Sequence, residues 1–315
     1  MIPHQEVTLI SIVTGCRNEE GNLQNLYNRI VEVFLGLPEY DFELIVADNR
    51  STDSSRNILR SLCTKDRRVK AIFNSRNFGP ERSGGNAILQ VSGNAVVCMA
   101  ADLQNPPEMI PEFVAHWREG YKIVAAIKIN SEESWFWKTA RNFYYDLVNR
   151  MSYAKPVKNF TGFGLYDRQV IEMIRQIGDP DPFFRGAIAE LGYDMYQVEY
   201  VQPARAAGKS SYNMLRMVDH GILGLISQTK VPLRLATLAG FSCSIFCFMI
   251  GMFYLIQKLL HWRDFVLGAA PLVVGLFMLA SIQLFFIGVI GEYIGAIFTK
   301  VSGRPLVAET ERINF

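Results

Sequence analysis

The sequence has little cysteine and little net charge. Five cysteines are an odd number, and none of their spacings is typical of a zinc site. This usage favours a protein with reduced thiols that faces the cytosol. The formal net charge is +2, from 32 basic and 30 acidic residues, so the composition gives no general case for nucleic-acid binding. Residues 1–7 show no basic region followed by an apolar core, so no signal peptide is predicted.

Charged residues are missing from two long stretches near the C-terminus. Residues 235–257 and 265–291 contain no Asp, Glu, Lys or Arg. Each stretch is longer than the roughly 20 residues that a helix needs to cross the hydrocarbon core. We therefore predict two transmembrane helices over residues 233–298, joined as a hairpin with both ends on one side. The basic residues that flank those ends favour the cytosol: Lys230, Arg234, Lys300, Arg304 and Arg312.

The first two thirds of the chain alternate between strand-like and helix-like patterns. Apolar, β-branched runs at residues 7–15, 42–47 and 69–73 predict strands, and each leads through a loop into residues with helical spacing. Further strands are predicted at residues 96–101 and 121–129, and residues 159–200 predict a strand, a helix and a strand. Short connections between alternating strands and helices predict a mostly parallel, Rossmann-like sheet covered on both faces. Residues 1–210 are thus predicted to form an α/β domain.

Acidic residues follow three of the predicted strands. Glu19 follows the first strand, Asp48 the second, and Asp102 the strand at residues 96–101. The carboxyl ends of parallel strands share one sheet edge, where such folds bind ligands, so we expect a nucleotide and metal crevice there. Asp102 and Gln104 offer the oxygen donors that Mg²⁺ or Mn²⁺ prefers. Read singly, each acid is usually a cap or turn residue.

Two further segments admit two interpretations. An aromatic helix is predicted at residues 132–151, either as part of the core or as an interfacial helix whose cations reach phosphate. The loop at residues 204–212 combines Arg205 with glycine and serine before a helix, which suits an anion, although a solvated basic loop has the same composition. Residues 211–232 then predict an amphipathic juxtamembrane helix, and residues 299–315 a cytosolic tail.

Together these motifs resemble the family 2 glycosyltransferases with the GT-A fold, and in particular the polyprenyl-phosphate branch that includes dolichyl-phosphate mannose synthase and the bactoprenol glucosyltransferases. The resemblance covers nearly the whole chain. It is carried by these motifs: Asn18-Glu19-Glu20-Gly21-Asn22-Leu23, Asp48 with Ser51-Thr52-Asp53, Arg76-Asn77-Phe78-Gly79, Ala101-Asp102-Leu103-Gln104-Asn105-Pro106-Pro107-Glu108, Gly208-Lys209-Ser210-Ser211-Tyr212 and Gly303-Arg304-Pro305-Leu306.

The resemblance implies an inverting transfer of a sugar from a nucleotide-sugar, linked to UDP or GDP, to polyprenyl phosphate at the cytosolic face of the inner (plasma) membrane. It implies a divalent cation, Mg²⁺ or Mn²⁺, on the catalytic Asp102 and on Gln104. It also implies that the protein can form a homo-oligomer. The implied nucleotide-sugar residues are Gly15, Glu19, Asp48, Asn77 and Ala101. The implied lipid-phosphate residues are Lys128, Lys138, Arg141, Arg205 and Ser210.

The chain departs from the family pattern at six positions, two of which are Gly15 and Arg17 in place of the usual Pro and Tyr of the first loop. Ala100 replaces one acid of the metal pair, Asn49 the second acid of the nucleotide loop, and Gly162 and Gly164 an acid and an arginine. A lipid phosphate is largely dianionic at neutral pH, so it needs no strong general base and transfer is compatible with these changes. The departures leave two alternatives open, a non-catalytic or donor-divergent relative and a transferase to a sugar acceptor. The chain has only two predicted spans, and this small number argues against a processive enzyme of the second kind.

Overall fold

The structure is a computed structural model, and it describes residues 8–129, 157, 159–179, 184–203, 231–260, 269–303 and 305–315. The chain divides into two compact units. One consists of residues 1–218 together with 303–315, and the other of residues 219–302.

The first unit is built on one eight-stranded sheet with the strand order β7-β5-β6-β4-β1-β2-β3-β8. Strands β1 to β4 are parallel, β5 and β7 are parallel to each other, and β6 and β8 run antiparallel to their neighbours. This confirms the predicted mostly parallel sheet. The strands are β1 (Thr8–Cys16), β2 (Tyr40–Asp48), β3 (Val69–Asn74), β4 (Ala95–Cys98), β5 (Ile123–Lys128), β6 (Phe160–Asp167), β7 (Met195–Tyr200) and β8 (Glu309–Ile313).

Helices cover the sheet on both faces because successive strand residues point to opposite sides. In β1, Ile10 and Ile12 lie in one buried core, whereas Val13 lies in the other. The helices among the described residues of this unit are α1 (Leu23–Leu35), α2 (Ser55–Lys65), α3 (Pro80–Ile88), α4 (Ile110–Arg118), α5 (Arg168–Ile177) and α6 (Phe184–Leu191). A 3₁₀ turn at Pro107–Met109 precedes α4.

Two elements differ from the sequence analysis. A single helix was expected between the strands that end at Asp167 and begin at Met195, but the structure has both α5 and α6 there. Residues 309–313, expected within a tail, form strand β8 at the edge of the sheet. A polar five-residue strand has no long apolar pattern, so its pairing decides its structure.

The second unit contains two long helices, α7 (Val231–Leu260) and α8 (Ala269–Val301). Large apolar side chains on both are exposed, among them Phe241 and Phe285. Within the residues described, one helical segment, Met278–Val301, is long and apolar enough to cross a membrane. Of the amphipathic stretch predicted at residues 211–232, only Val231 and Pro232 are described, at the start of α7. The aromatic stretch predicted at residues 132–151 lies outside the described residues.

Candidate active site

The strand order places a topological switch between β1 and β4. From β1 the chain passes to β2 and β3 on one side, and then crosses back to place β4 on the other side of β1. Open α/β sheets bind ligands outside the carboxyl ends of strands at such a point. Gly15, near the end of β1, is exposed there and leaves open space around its Cα. Asp102 follows the end of β4 by four residues, so the two predicted site residues flank the switch.

The loop that carries Asp102 is held by its own side chains. The Gln104 N–H donates to Asp102 Oδ1 over 3.2 Å. The Ala100 N–H donates to Asn105 Oδ1 over 2.8 Å, and Asn105 Nδ2 donates to the Tyr200 hydroxyl over 3.1 Å. The loop is therefore closed on itself and tied to the end of β7, with Asp102 only 7% exposed.

The pKa of the Tyr200 hydroxyl is affected by the charge of this loop. Burial raises the pKa of Tyr200, and the nearby Asp102 carboxylate adds to the rise, while hydrogen bonds with Thr161 and Asn105 act in the opposite direction. The net shift is upward, so the phenol stays neutral at physiological pH beside the acid. The acid thus has a neutral phenol near it.

The residues at this loop fit a divalent cation only together with a substrate. Within the described part of the chain, no cluster of three His, Cys, Asp or Glu side chains could hold a metal ion. Asp102 brings one carboxylate and Gln104 one amide oxygen, and Ala100 brings none. Mg²⁺ is commonly held by one or two carboxylates plus substrate phosphates. The site therefore fits a cation that arrives with a diphosphate.

On the other side of β1, a network of amides shapes the loop after β3. Asn49, which is 6% exposed, donates from Nδ2 to Asn77 Oδ1 over 2.8 Å and accepts from the Phe78 N–H over 2.8 Å. Asn77 Oδ1 also accepts from the Gly79 N–H over 3.0 Å. Asn74 Nδ2 donates to Ser83 Oγ over 2.9 Å, which joins β3 to α3. The predicted site residue Asn77 is thus fixed by Asn49.

The Asp48 carboxylate, predicted to bind the nucleotide-sugar, is sealed from solvent with 0% exposure. It accepts from the Ser51 N–H over 3.1 Å, and Arg56 Nε lies 3.1 Å from Asp48 Oδ2. Burial raises the pKa of the adjacent Cys16 thiol, and the Asp48 charge raises it further. These contacts hold the β2–α2 loop in place.

The loops that follow β1 and β2 are joined by reciprocal hydrogen bonds. The N–H groups of Asn18 and Glu19 donate to Ser51 Oγ and Ser55 Oγ, each over 2.9 Å. In return, the Thr52 N–H donates to Asn18 Oδ1 over 2.8 Å. The carboxylate of the predicted site residue Glu19 accepts from Asn22 Nδ2 over 2.6 Å. The two loops thus form one rigid rim beside Gly15.

Lys128 lies on the opposite side of Asp102, at the same edge of the sheet. Cys98 of β4 and Ala125 of β5 both pair with Gly164 of β6, so these two strands run level and about 10 Å apart. Lys128 ends β5 three residues later and is half-buried. Among the described strands, the order along the edge is therefore Lys128, Asp102, Gly15, Asn49 and Asn77.

Glycines stand where the family pattern has an acid and an arginine, and the backbone requires them. Gly162 has a φ of +92°, in the region that L side chains rarely adopt. A Cβ on Gly164 would lie 2.3 Å from the Val124 carbonyl oxygen, so the approach of β5 to β6 excludes any side chain. The Tyr166 hydroxyl donates to the Gly162 carbonyl over 2.8 Å and fixes this bend.

Four of the predicted lipid-phosphate residues lie outside the described residues: Lys138, Arg141, Arg205 and Ser210. Three further residues contribute to the site without having been assigned a role from the sequence: Asn49, Asn105 and Tyr200. Asn105 lies within a motif quoted above, so that motif could have indicated a role for it. Tyr200 had no such signal, because its partner is 95 residues away in the chain.

Comparison with known proteins identifies the family. The model described as glycosyl transferase family 2 matches residues 11–175, and the model described as the GtrB C-terminal hairpin matches residues 231–297. The chain therefore belongs to glycosyl transferase family 2. The match confirms the fold class predicted from the sequence, a GT-A domain followed by a two-helix hairpin. With the exposed apolar helix Met278–Val301, the hairpin makes this a membrane-associated protein.

The relatives match along nearly the whole chain. The glycosyltransferase YkcC of Bacillus subtilis is 34% identical over 94% of this chain and 91% of its own length. The bactoprenol glucosyl transferase of Shigella phage SfII is 31% identical over 94% of this chain and 96% of its own. Among solved structures, the mannosyltransferase PcManGT of Pyrobaculum calidifontis is 16% identical, with a TM-score of 0.48 over 94% of this chain and 88% of its own.

Proposed function

We propose that this protein transfers a sugar from a nucleotide-sugar to polyprenyl phosphate at the cytosolic face of the inner membrane. The observation that carries the proposal is the order of groups along the sheet edge. Asp102 lies between the amide network of Asn49 and Asn77 on one side and Lys128 on the other. A nucleotide and an anionic acceptor approaching from these two sides meet at Asp102. Full-length similarity to proteins named bactoprenol glucosyl transferases supports a lipid acceptor.

The reaction is a direct displacement with inversion at the sugar carbon. An oxygen of the lipid phosphate forms the new bond to the anomeric carbon, and the bond to the nucleoside diphosphate breaks, with the electron pair leaving on the diphosphate. The second pKa of a phosphate monoester is about 6, so the acceptor is a dianion at neutral pH and needs no general base. This is consistent with glycine at positions 162 and 164. A cation is needed near the acceptor instead, and Lys128 can supply it.

A bound divalent cation, Mg²⁺ or Mn²⁺, supplies stabilisation of the negative charge that develops on the leaving diphosphate. Asp102 and Gln104 are the residues that hold it. The loop around them is fixed by Asn105, so these ligands are positioned before the donor binds. The lipid-phosphate residues predicted outside the described part of the chain, Lys138, Arg141, Arg205 and Ser210, complete the cationic side in this proposal.

The membrane arrangement follows the sequence. In this proposal the transmembrane hairpin is the one predicted at residues 233–298, with both ends in the cytosol, and the juxtamembrane helix predicted at residues 211–232 precedes it. A two-span anchor keeps the α/β domain on the side where nucleotide-sugars are made available. The flanking basic residues support this orientation.

The test is transfer by the purified full-length protein in detergent with a polyprenyl phosphate. Radiolabelled UDP- and GDP-sugars are each supplied with Mg²⁺ or Mn²⁺, and the label extracted into butanol is counted. We expect one donor to label the lipid, and EDTA to abolish the labelling. Asp102→Asn should lower turnover at least about a hundredfold, the scale of losing one group that stabilises a transition state. Asp41→Asn, an exposed matched change near the start of β2, should leave turnover unchanged.

Three results separate the alternatives. Donor binding in a thermal-shift screen without any lipid labelling would establish a non-catalytic relative instead. Label transferred to an added oligosaccharide but not to lipid would establish a sugar acceptor. Unchanged turnover of Asp102→Asn would remove Asp102 from the reaction, whatever the acceptor.

A further inference from the structure

The segment after the hairpin, residues 305–315, folds back into the first unit. Strand β8 pairs antiparallel with β3, with Phe73 opposite Glu311. Beyond the strand, Asn314 Nδ2 donates to the carbonyls of Cys63 and Val69, each over 2.8 Å. We call residues 305–315 the C-terminal strap. Its contacts join α2, β3 and α3 at the edge of the sheet.

The C-terminal strap contacts both ends of the loop that carries Asn77. Near the end of β3, the Ser75 N–H donates to the Ala308 carbonyl over 2.9 Å, and Thr310 Oγ1 donates to the Phe73 carbonyl over 3.0 Å. In the first turn of α3, Arg82 Nη2 donates to the Pro305 carbonyl over 2.7 Å. The loop between β3 and α3 is therefore bracketed by the strap.

One side-chain pair fixes α3 to the strap. Asn86 Nδ2 donates to Glu309 Oε1 over 2.7 Å, and the Glu309 side chain is only 18% exposed. Arg312 Nη2 donates to the same Glu309 oxygen over 2.8 Å and holds the carboxylate in place. The Asn86–Glu309 pair lies two turns along the helix from Gly79, whose N–H donates to Asn77. The position of α3 thus sets the position of the Asn77 loop.

A second chain of contacts leads from the strap to the other donor loop. Thr310 Oγ1 accepts from Arg56 Nη2 over 3.3 Å. Arg56 Nε in turn lies 3.1 Å from the sealed carboxylate of Asp48. The strap therefore reaches both loops on the nucleotide side, the one after β2 through Arg56 and the one after β3 through α3.

We propose that the C-terminal strap is a positioning element of the donor site, and that Asn86 and Glu309 are positioning residues that act through α3 on Asn77. The part of the inference that concerns the donor rests on the proposed function. The part that concerns the loop stands on the contacts alone. Neither residue touches the groups around Asp102 in the described structure, so the strap affects donor binding and leaves the chemical step unchanged.

The test exchanges the donor and the acceptor of this pair in the full-length protein. Asn86→Asp places two carboxylates 2.7 Å apart and removes the hydrogen bond. Asn86→Asp combined with Glu309→Gln restores a hydrogen bond with its direction reversed. Asn28→Asp, on the exposed face of α1, is the matched control. Amide hydrogen exchange of residues 74–79 is measured in all variants without any ligand, and donor KM and kcat are measured where transfer occurs.

We expect Asn86→Asp to speed exchange at residues 74–79 about tenfold and to raise the donor KM about tenfold, with kcat within a factor of two. The double variant should recover most of both changes, and Asn28→Asp should show neither. Unchanged exchange at residues 74–79 overturns the inference, whether or not the protein transfers sugar. Faster exchange with an unchanged KM, or a loss confined to kcat, refutes the role in donor binding.

Discussion

Glu43 forms a buried ionic network away from the site, and it gives the sharpest prediction about stability. The carboxylate is 3% exposed in β2. Lys70 Nζ lies 2.7 Å from it, the Ser92 N–H and hydroxyl donate to it over 2.6 and 2.7 Å, and the Ser11 hydroxyl donates to it as well. These contacts join β1, β2, β3 and the turn before β4, towards the amino ends of the strands. One side chain therefore links four segments of the sheet.

Glu43→Gln should destabilise the first unit without changing the site. Removing one partner of a buried ion pair costs about 3–5 kcal/mol, and glutamine keeps an acceptor, so we take about 3 kcal/mol. At about 2–4 °C per kcal/mol for a domain of this size, Tm falls by about 6–12 °C. Thermal unfolding of the full-length protein in detergent at pH 7, followed by near-UV circular dichroism, measures it. Glu39→Gln breaks an exposed pair with Arg118 and should cost less than about 1 kcal/mol.

The pH dependence of this difference provides a second check. Burial raises the pKa of Glu43, but hydrogen bonds from Lys70, Ser11 and Ser92 outweigh it, so the pKa lies below its ordinary value of 4.5. A carboxyl with a lowered folded pKa stabilises the fold above its unfolded pKa, and this contribution is lost as the pH falls through the folded pKa. The difference in Tm should thus be constant near neutrality and shrink below about pH 4.5. A difference under about 2 °C at pH 7, or one that grows on acidification, would refute the reasoning.

Two further predictions concern backbone packing and the amide network. Gly164→Ala places a Cβ 2.3 Å from the Val124 carbonyl oxygen, so it should lower the free energy of unfolding by at least about 3 kcal/mol, measured as a fall in Tm. Gly15→Ala, where the added Cβ lies in open space, should leave Tm unchanged. Equal Tm values for the two variants would contradict the packing argument. Asn49→Asp removes the amide group that donates a hydrogen bond to Asn77 Oδ1. It should raise the KM for the nucleotide-sugar about tenfold with little change in kcat. An unchanged KM would show that the amide network does not shape the donor site.

The fold was predictable because buried parallel strands have nearly continuous apolar sequences. Residues 7–15 and 69–73 were predicted as strands, and the structure has Thr8–Cys16 and Val69–Asn74. The runs are apolar because both faces of these strands are covered, and their short length and β-branched residues distinguish them from buried helices. Helix α6 was missed because its eight residues follow two Asp-Pro steps in the sequence, and a short apolar segment there has no distinctive period.

The site was predictable as a set of residue types at strand ends, and less so as a set of roles. Asp48 ends β2 and Asn77 follows β3, yet the Asp48 carboxylate is sealed against Arg56 whereas the Asn77 side chain is half-buried at the edge. Which side of the sheet the residue at a strand end faces depends on the register, and a change of one position reverses it. Spacing therefore finds the edge, whereas hydrogen bonds between distant segments decide which groups face a ligand.

Strand β8 could not have been found by pattern, and it changes how the chain is understood. Its five residues are mostly charged, as suits an edge strand that must not pair with other chains. Its partner β3 precedes it by more than 200 residues, so no local signal marks the pairing. The hairpin is therefore an insertion between β7 and β8, the two end strands of one sheet. Truncation before the hairpin removes β8 along with the anchor. A fragment without the hairpin therefore needs residues 305–315 to cover the edge of β3, supplied through a linker long enough to reach it from β7 at the opposite end of the sheet.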